Sequence, residues 1–227
     1  MPISSGQPTA GLTTCTVFRP GLVAYDDAWD LQRALHEEIV DGLRTEALLL
    51  LEHPHVYTLG RRGEDSDILV GESKLRELGV EVRHTDRGGQ VTYHGPGQIV
   101  GYPMLNLRAR RSSPLDYVRA LERVVIDTLA ELGVEAESED RPTGVWIGDA
   151  KIAAIGVKVS RAVTMHGFAL NVDPDLTYFD QIVACGLPEA KATSISRELG
   201  RPVTVESAMD SLLPHFELVF EVVTALG

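Results

Sequence analysis

Cysteine is scarce in this sequence. Only Cys15 and Cys185 occur among 227 residues, too few for a disulfide framework or a zinc quartet, which points to a reducing compartment. Long apolar stretches are missing as well: the longest run, residues 47–51, is far too short to cross a bilayer. The first fifteen residues carry no charge, no apolar core of signal-peptide length and none of the arginines of a transit peptide. A cytoplasmic protein without a membrane span is the expectation. Basic charge is also in deficit, with 21 lysines and arginines against 33 acidic residues and a net charge of −12. That argues against general nucleic-acid binding, which needs a basic face. Arginine nevertheless recurs at Arg61, Arg62, Arg83, Arg87, Arg108, Arg110, Arg111 and Arg119. Gathered on one face these would suit an acidic partner protein; scattered, they are ordinary solvated charges.

A hydrophobic fraction of 44% and a charged fraction of 24% are globular values. The length suits one large domain over residues 1–227, with 1–14 as a loose tail. Asp26 or Asp27 is placed to cap a helix whose apolar residues Leu31, Leu35 and Ile39 recur every four positions, with Gly42 to end it. "ALLLLEH" (47–53) reads as a strand buried on both faces, and 54–66 as a loop. A short helix over 72–78 ends at Gly79, and "VEVRH" (80–84) alternates as a strand does. "QIVGYPML" (98–105) is another strand. Ser113 and Pro114 open a long helix carrying Leu121, Val125, Leu129 and Leu132 on one stripe before Gly133. "GVWIGDAKIAAIGVKVS" is a hairpin turning at Gly148 and Asp149, and "VTMHGFALNV" (163–172) adds a strand. From Val205 onward the chain reads as helix, broken near Pro214. Hairpins mixed with few helices predict an α+β fold.

Three features invite chemistry. Cys185 in "VACGL" is flanked by Ala184 and Gly186, which would leave a thiol exposed at a tight turn, although a lone cysteine is more often a small buried hydrophobe. Lysine occurs only at Lys74, Lys151, Lys158 and Lys191, and two of these belong to the apolar hairpin strand "KIAAIGVKV". A cation there would lower the pKa of a neighbouring thiol, or would simply snorkel from a strand end. The stretch "RGGQVTYHGPGQIVGYP" (87–103) packs five glycines around Thr92, Tyr93 and His94. It matches neither a P-loop nor a dinucleotide fingerprint, yet it allows backbone to approach a ligand closely. His94 and His166 are possible bases or metal ligands; neither has a histidine four residues away, which argues against a metal site.

"LLEHPHVYTLGRR", "DRGGQVTYHGPGQIVGYP", "RPTGVWIGDAKIAAIGVKVS", "HGFALNVDPDL" and "ACGL" followed by "ATSIS", in this order over about residues 47–199, closely resemble the lipoyl (octanoyl) transferases, the LipB family. The resemblance implies the fold shared with lipoate and biotin protein ligases, a large mixed sheet with a smaller one and flanking helices. It implies transfer of an octanoyl or lipoyl group from acyl carrier protein to a target lysine on lipoyl domains, those of 2-oxoacid dehydrogenases and the glycine cleavage H protein, with no cofactor and no metal. The acyl-thioester cysteine falls on Cys185 and its activating lysine on Lys151 rather than Lys158. The acyl-binding segments fall on Arg87, Gly88, Gly89, Gln90, Val91, Thr92, Tyr93 and His94, on Ala154, Ile155 and Gly156, and on Gly167, Phe168 and Ala169. The family usually has proline before the cysteine, where this chain has Ala184. A monomer is expected, with Cys15 a structural residue. The alternative within the same fold is an ATP-dependent lipoate or biotin ligase, which needs no nucleophilic cysteine.

Overall fold

The structure, a computed structural model, describes residues 13–183 and 191–227. The chain opens with β1 (Thr13–Leu22), α1 (Tyr25–Val40) and β2 (Glu46–Glu52). A smaller unit follows: β3 (Val56–Leu59), α2 (Glu72–Leu78), β4 (Glu81–His84) and β5 (Val91–His94). Next come β6 (Gln98–Met104), α3 (Pro114–Glu131), β7 (Val145–Ile147), β8 (Ala150–Ser160) and β9 (Val163–Asn171). The last elements are β10 (Lys191–Ala192), α4 (Ile195–Leu199), α5 (Val205–Phe220) and β11 (Val222–Leu226). They form an eight-stranded mixed sheet in the order β10-β8-β9-β6-β2-β1-β11, with β7 paired to β8, and a three-stranded sheet β4-β3-β5. This is the α+β arrangement of one large and one smaller sheet that the sequence predicts. No described helix is long and apolar enough to cross a membrane.

Strand β2 shows why the large sheet is covered on both sides. Leu48 and Leu50 join one core with α3 and α5, while Ala47, Leu49 and Leu51 join another with Ala28, Leu35 and Ile39 of α1. That split follows the two-residue period of the pleat, and a strand so placed is apolar throughout. A third core fills the small sheet, where Tyr57, Leu59, Val91 and Tyr93 pack with Tyr178 and Phe179 from the 3₁₀ turn Leu176–Gln181. Local signals act as their chemistry requires. Ser113 accepts from the Asp116 amide while the Asp116 carboxylate accepts from the Ser113 amide, a reciprocal cap that starts α3 just before Pro114. Gly79, left-handed at φ 65°, ends α2.

Other expectations change. Asp26 and Asp27 lie in the first turn of α1 rather than at its cap, where their charge suits the helix dipole. Leu31 is exposed, and the buried stripe instead includes Gln32 and His36, so α1 holds two polar side chains against the sheet. Residues 54–66 are not all loop: Val56–Leu59 pairs with both β4 and β5 and is fully buried. Helix α5 runs through Pro214 without a break, because Ala208, Met209, Leu212, Phe216 and Phe220 pack against the core and outweigh the one lost hydrogen bond. The chain then turns at a left-handed Glu221 into β11, parallel to β1, where the β-branched run Val222, Val223, Thr224 favours strand over the helix expected there. Arg110 is not a surface charge. It donates to the buried Glu46 carboxylate and to the Phe220 carbonyl, tying β2 to the end of α5.

Restoring the missing amide tests the reading of α5. Pro214→Ala should raise the unfolding free energy by about 2 kcal/mol in urea denaturation; an unchanged or lowered value would show that the ring itself is needed for packing.

Candidate active site

A cleft lies where β5 of the small sheet meets β6, β8 and β9 of the large one, with Tyr25 of α1 at its wall. Its volume is about 130 Å³. The glycine-rich turn before β5 closes one side. The Gly88 amide donates to the Val157 carbonyl at 2.9 Å, and a Cβ on Gly156 would lie 2.9 Å from the Gly88 carbonyl oxygen. Gly88 and Gly156 are glycine for the same reason, that two backbones touch there, whereas Gly89 is needed for its left-handed backbone at φ 93°.

Arg87 braces this turn from within. It is 7% exposed and donates to the Thr58 carbonyl (2.6 Å), the Thr58 hydroxyl (2.9 Å), the Gln90 carbonyl (2.8 Å) and the Gly88 carbonyl (3.0 Å). Only a planar guanidinium reaches so many acceptors at once. Gly89 and Gln90 line the cleft beside it, whereas Gly88 is spent on the contact with β8. In β5, Thr92 and His94 face the cleft; Val91 borders it but packs, like Tyr93, in the small-sheet core. The Tyr93 ring stacks on Tyr178 and its hydroxyl bonds His55, so that side chain points away from the cleft. Ala154, Ile155 and Gly156 of β8 and Gly167, Phe168 and Ala169 of β9 all line it.

A buried polar chain orients His94. The Thr193 carbonyl accepts from Asn171 Nδ2, so Asn171 Oδ1 must accept from Gln98 Nε2, so Gln98 Oε1 accepts from His94 Nδ1 at 2.8 Å. His94 Nε2 is then an acceptor, facing the Thr58 hydroxyl at 3.3 Å. His53 is fixed likewise: Nδ1 donates to the Val23 carbonyl (2.7 Å) and Nε2 accepts from the Tyr102 hydroxyl (2.7 Å). Burial holds both rings neutral, driving the His94 pKa well below 6.5 and that of His53 to about 4. His166 Nε2 donates to Asp86 at 2.8 Å, and Lys158 bonds the other Asp86 oxygen at 2.6 Å. Burial lowers the His166 pKa despite that carboxylate, while the hydrogen bond from His166 and then that from Lys158 hold Asp86 far below the usual carboxylate range.

Lys151, at the start of β8, borders the cleft. Its ammonium donates to the Thr143 carbonyl at 3.1 Å and lies 4.6 Å from the Trp146 ring centre, and no carboxylate among the described residues pairs with it. The Lys158 ammonium is neutralised by Asp86. Thr193 donates its amide to the Lys151 carbonyl at 3.1 Å, and Val183 donates to the Asp67 carbonyl at 2.8 Å. The chain is thus anchored on both sides of the segment that carries Cys185, which itself lies outside the described residues. Arg62 borders the cleft, exposed and without a carboxylate partner among the described residues. Apolar walls, oriented neutral imidazoles and one uncompensated ammonium suit a site that takes an uncharged chain and acts on the group at its end.

Tyr25, Thr58, Tyr102, Gln98, Asn171 and Asp86 were not singled out by sequence. Each acts through contacts distant along the chain, so no local pattern marks it. Their cost appears in the pH dependence. A histidine whose folded pKa lies below its unfolded value near 6.5 must stay neutral in the fold, so its stability is complete above pH 6.5 and is lost as pH falls. For His53 the window runs from about 6.5 down to about 4. The unfolding free energy should fall by about 1.4 kcal/mol per pH unit for each such histidine, and His53→Gln should remove one increment. Urea titrations at pH 7, 6 and 5 check this; a flat profile in wild type would contradict it.

Residues 24–217 match the Lipoyl protein ligase A/B catalytic domain. The chain is 46% identical over 215 residues to an octanoyltransferase of Salinispora tropica, covering 91% of this chain and 96% of that one. It is 48% identical over 202 residues to an octanoyltransferase of Rubrobacter xylanophilus, covering 88% and 90%. Among solved structures, a lipoate-protein ligase A bound with ATP superposes with a TM-score of 0.72 at 14% identity, over 95% of this chain and 88% of that one, a likeness of fold. With the two-sheet architecture and the cleft between its sheets, these matches make the chain a member of the lipoyl protein ligase A/B catalytic domain family, on its octanoyltransferase side.

Proposed function

We propose that this chain moves an octanoyl group from acyl carrier protein to a lysine of lipoyl domains, in lipoate biosynthesis, through a thioester on Cys185. The observation that carries the mechanism is the cleft bordered by the Lys151 ammonium, which no described carboxylate neutralises, with Ala154, Ile155, Phe168 and Ala169 as its apolar wall. The activity is that of relatives 46% and 48% identical over most of the chain. An unperturbed thiol is only a few per cent thiolate at pH 7, and an adjacent ammonium raises that fraction. The Cys185 thiolate adds to the thioester carbonyl of the carrier, backbone amides hold the oxyanion, and the carrier's sulfur leaves and takes a proton. In the second step the neutral amine of the target lysine attacks the acyl-enzyme. The C–S bond breaks, the amine's proton passes to the Cys185–Lys151 pair, and an amide forms. Thioester exchange is near balance and amide formation is downhill, so neither ATP nor a metal is called for.

The eight-carbon chain lies along the cleft between the glycine turn, "AIG" and "GFA". Burying about seven methylene and methyl groups contributes at most roughly 6 kcal/mol, so carrier contacts must add the rest. Arg62, exposed at the border of the cleft, and the exposed Arg61 before it in the chain are suited to an acidic carrier. The acceptors are the lipoyl domains of 2-oxoacid dehydrogenases and the glycine cleavage H protein, and the enzyme works as a cytoplasmic monomer.

Transfer from octanoyl acyl carrier protein to a purified lipoyl domain, with and without ATP, tests the reading. Wild type should turn over without ATP, and Cys185→Ser should lose about a thousandfold or more. Lys151→Ala should be slowed about 10- to 100-fold at pH 7 and recover as pH rises past about 8.5. Turnover only with ATP, unaffected by Cys185→Ser, would make this chain a ligase instead.

A further inference from the structure

In the β8–β9 ladder Val157 is opposite His166, and Gly156 is opposite Gly167. Directly opposed residues share a face of the sheet. Val157 packs against the α3–α5 core, and so does Phe168, two residues on from His166. The pleat therefore assigns the His166 side chain to that face. It is on the other one. Its ring lies 5.8 Å from the Trp29 ring of α1 and 6.4 Å from the Tyr102 ring, and it is 1% exposed at the cleft lining. The crossing is made by the backbone, which at His166 has φ 56°, a left-handed conformation uncommon for residues other than glycine and one that histidine, like Asn and Asp, enters more readily than most.

Several contacts hold this conformation. The His166 amide donates to Gln32 Oε1 at 2.8 Å, and the ring donates to Asp86, which Lys158 fixes in turn. Six strand steps along β8 take Lys151 to Val157, ~20 Å at the strand rise, so the imidazole stands at the end of the cleft opposite the ammonium. Beyond it, His166 Nδ1, Gln32 Nε2 and Trp29 Nε1 are buried without hydrogen-bond partners among the described residues. These are one acceptor and two donors, a set that water satisfies and an alkyl chain does not.

Resting on the reading of the cleft as an acyl site, we propose that His166 is its chain-length stop. A medium-length acyl chain ends against the imidazole, and longer chains are rejected. To advance, they would have to displace a ring held by Asp86, on a backbone held by Gln32, and bury methylenes against those three polar atoms. The left-handed backbone is the device that turns the ring into the path of the chain.

The test is transfer by the full-length protein, without ATP, from acyl carrier protein loaded with octanoyl, decanoyl or dodecanoyl chains. His166→Gly suits the left-handed backbone and removes the ring. Its dodecanoyl-to-octanoyl ratio of kcat/KM should rise at least about tenfold over wild type, with His166→Asn in between. A folded His166→Gly protein that keeps the wild-type ratio within about twofold, or that is inactive on every chain, overturns the proposal. Thermal unfolding is followed for each variant, and if His166→Gly does not fold, the same comparison is decided by His166→Asn. Wild type that uses dodecanoyl as readily as octanoyl also overturns the stop. Wild type inactive on octanoyl sinks instead the acyl-transfer reading beneath it.

Discussion

The cleft depends on one buried cation. The Arg87 guanidinium gathers the Thr58, Gln90 and Gly88 carbonyls around itself, and so joins β3 to the glycine turn that leans on β8. The amides of residues 60–62 already reach the Gln90, Arg87 and Gly89 carbonyls, and the guanidinium adds the donors that bind Gly88 and Thr58 to the same point. The glycines follow from that arrangement rather than preceding it. Once Arg87 draws the turn against Val157, no Cβ fits at Gly156, and the two sheets meet along bare backbone. That leaves an apolar slot beside them.

The same economy of charge governs the rest of the site. Asp86 absorbs the charge of Lys158, and Glu46 absorbs that of Arg110. The three histidines around the cleft, His53, His94 and His166, are kept neutral by burial. The Lys151 ammonium is left without a described carboxylate, steadied by a carbonyl and an indole face that leave its charge intact. Arg87 is spent on carbonyls of the glycine turn, so the Lys151 ammonium, with the exposed Arg62 at the rim, is the charge placed to act on an anion that forms in the cleft. The chain Thr193–Asn171–Gln98–His94 carries rigidity from the backbone beside Lys151 to the glycine turn, so both walls of the cleft are set together.

Much of the fold was legible because its signals are local. Ser113 with Pro114, Gly79, and the Gly148–Asp149 turn each state a helix end or hairpin within four residues. Strand β3 was hidden by its length, four residues between His55 and Gly60, and β11 by its closeness to a strong helix. Pro214 misled because core packing outweighs one missing hydrogen bond. At the site, the glycine turn, β8 and β9 segments drew attention through glycine and through family resemblance, and the fold brings their backbones to one cleft. Tyr93 shows the limit of a segment reading: the pleat turns alternate side chains away, and its ring belongs to the small-sheet core. Gln32 and Asn171 carry no local mark at all, since their importance lies in partners more than twenty residues away.

The central claim is that the acyl group rests on Cys185 as a thioester within reach of the Lys151 charge. Intact-protein mass measurement after mixing with octanoyl acyl carrier protein, without ATP or lipoyl domain, tests it most directly. The account predicts a gain of one octanoyl group in wild type, released by hydroxylamine and absent in Cys185→Ser. Protein that stays unmodified under these conditions, yet delivers octanoyl to a lipoyl domain once ATP is added, would contradict it.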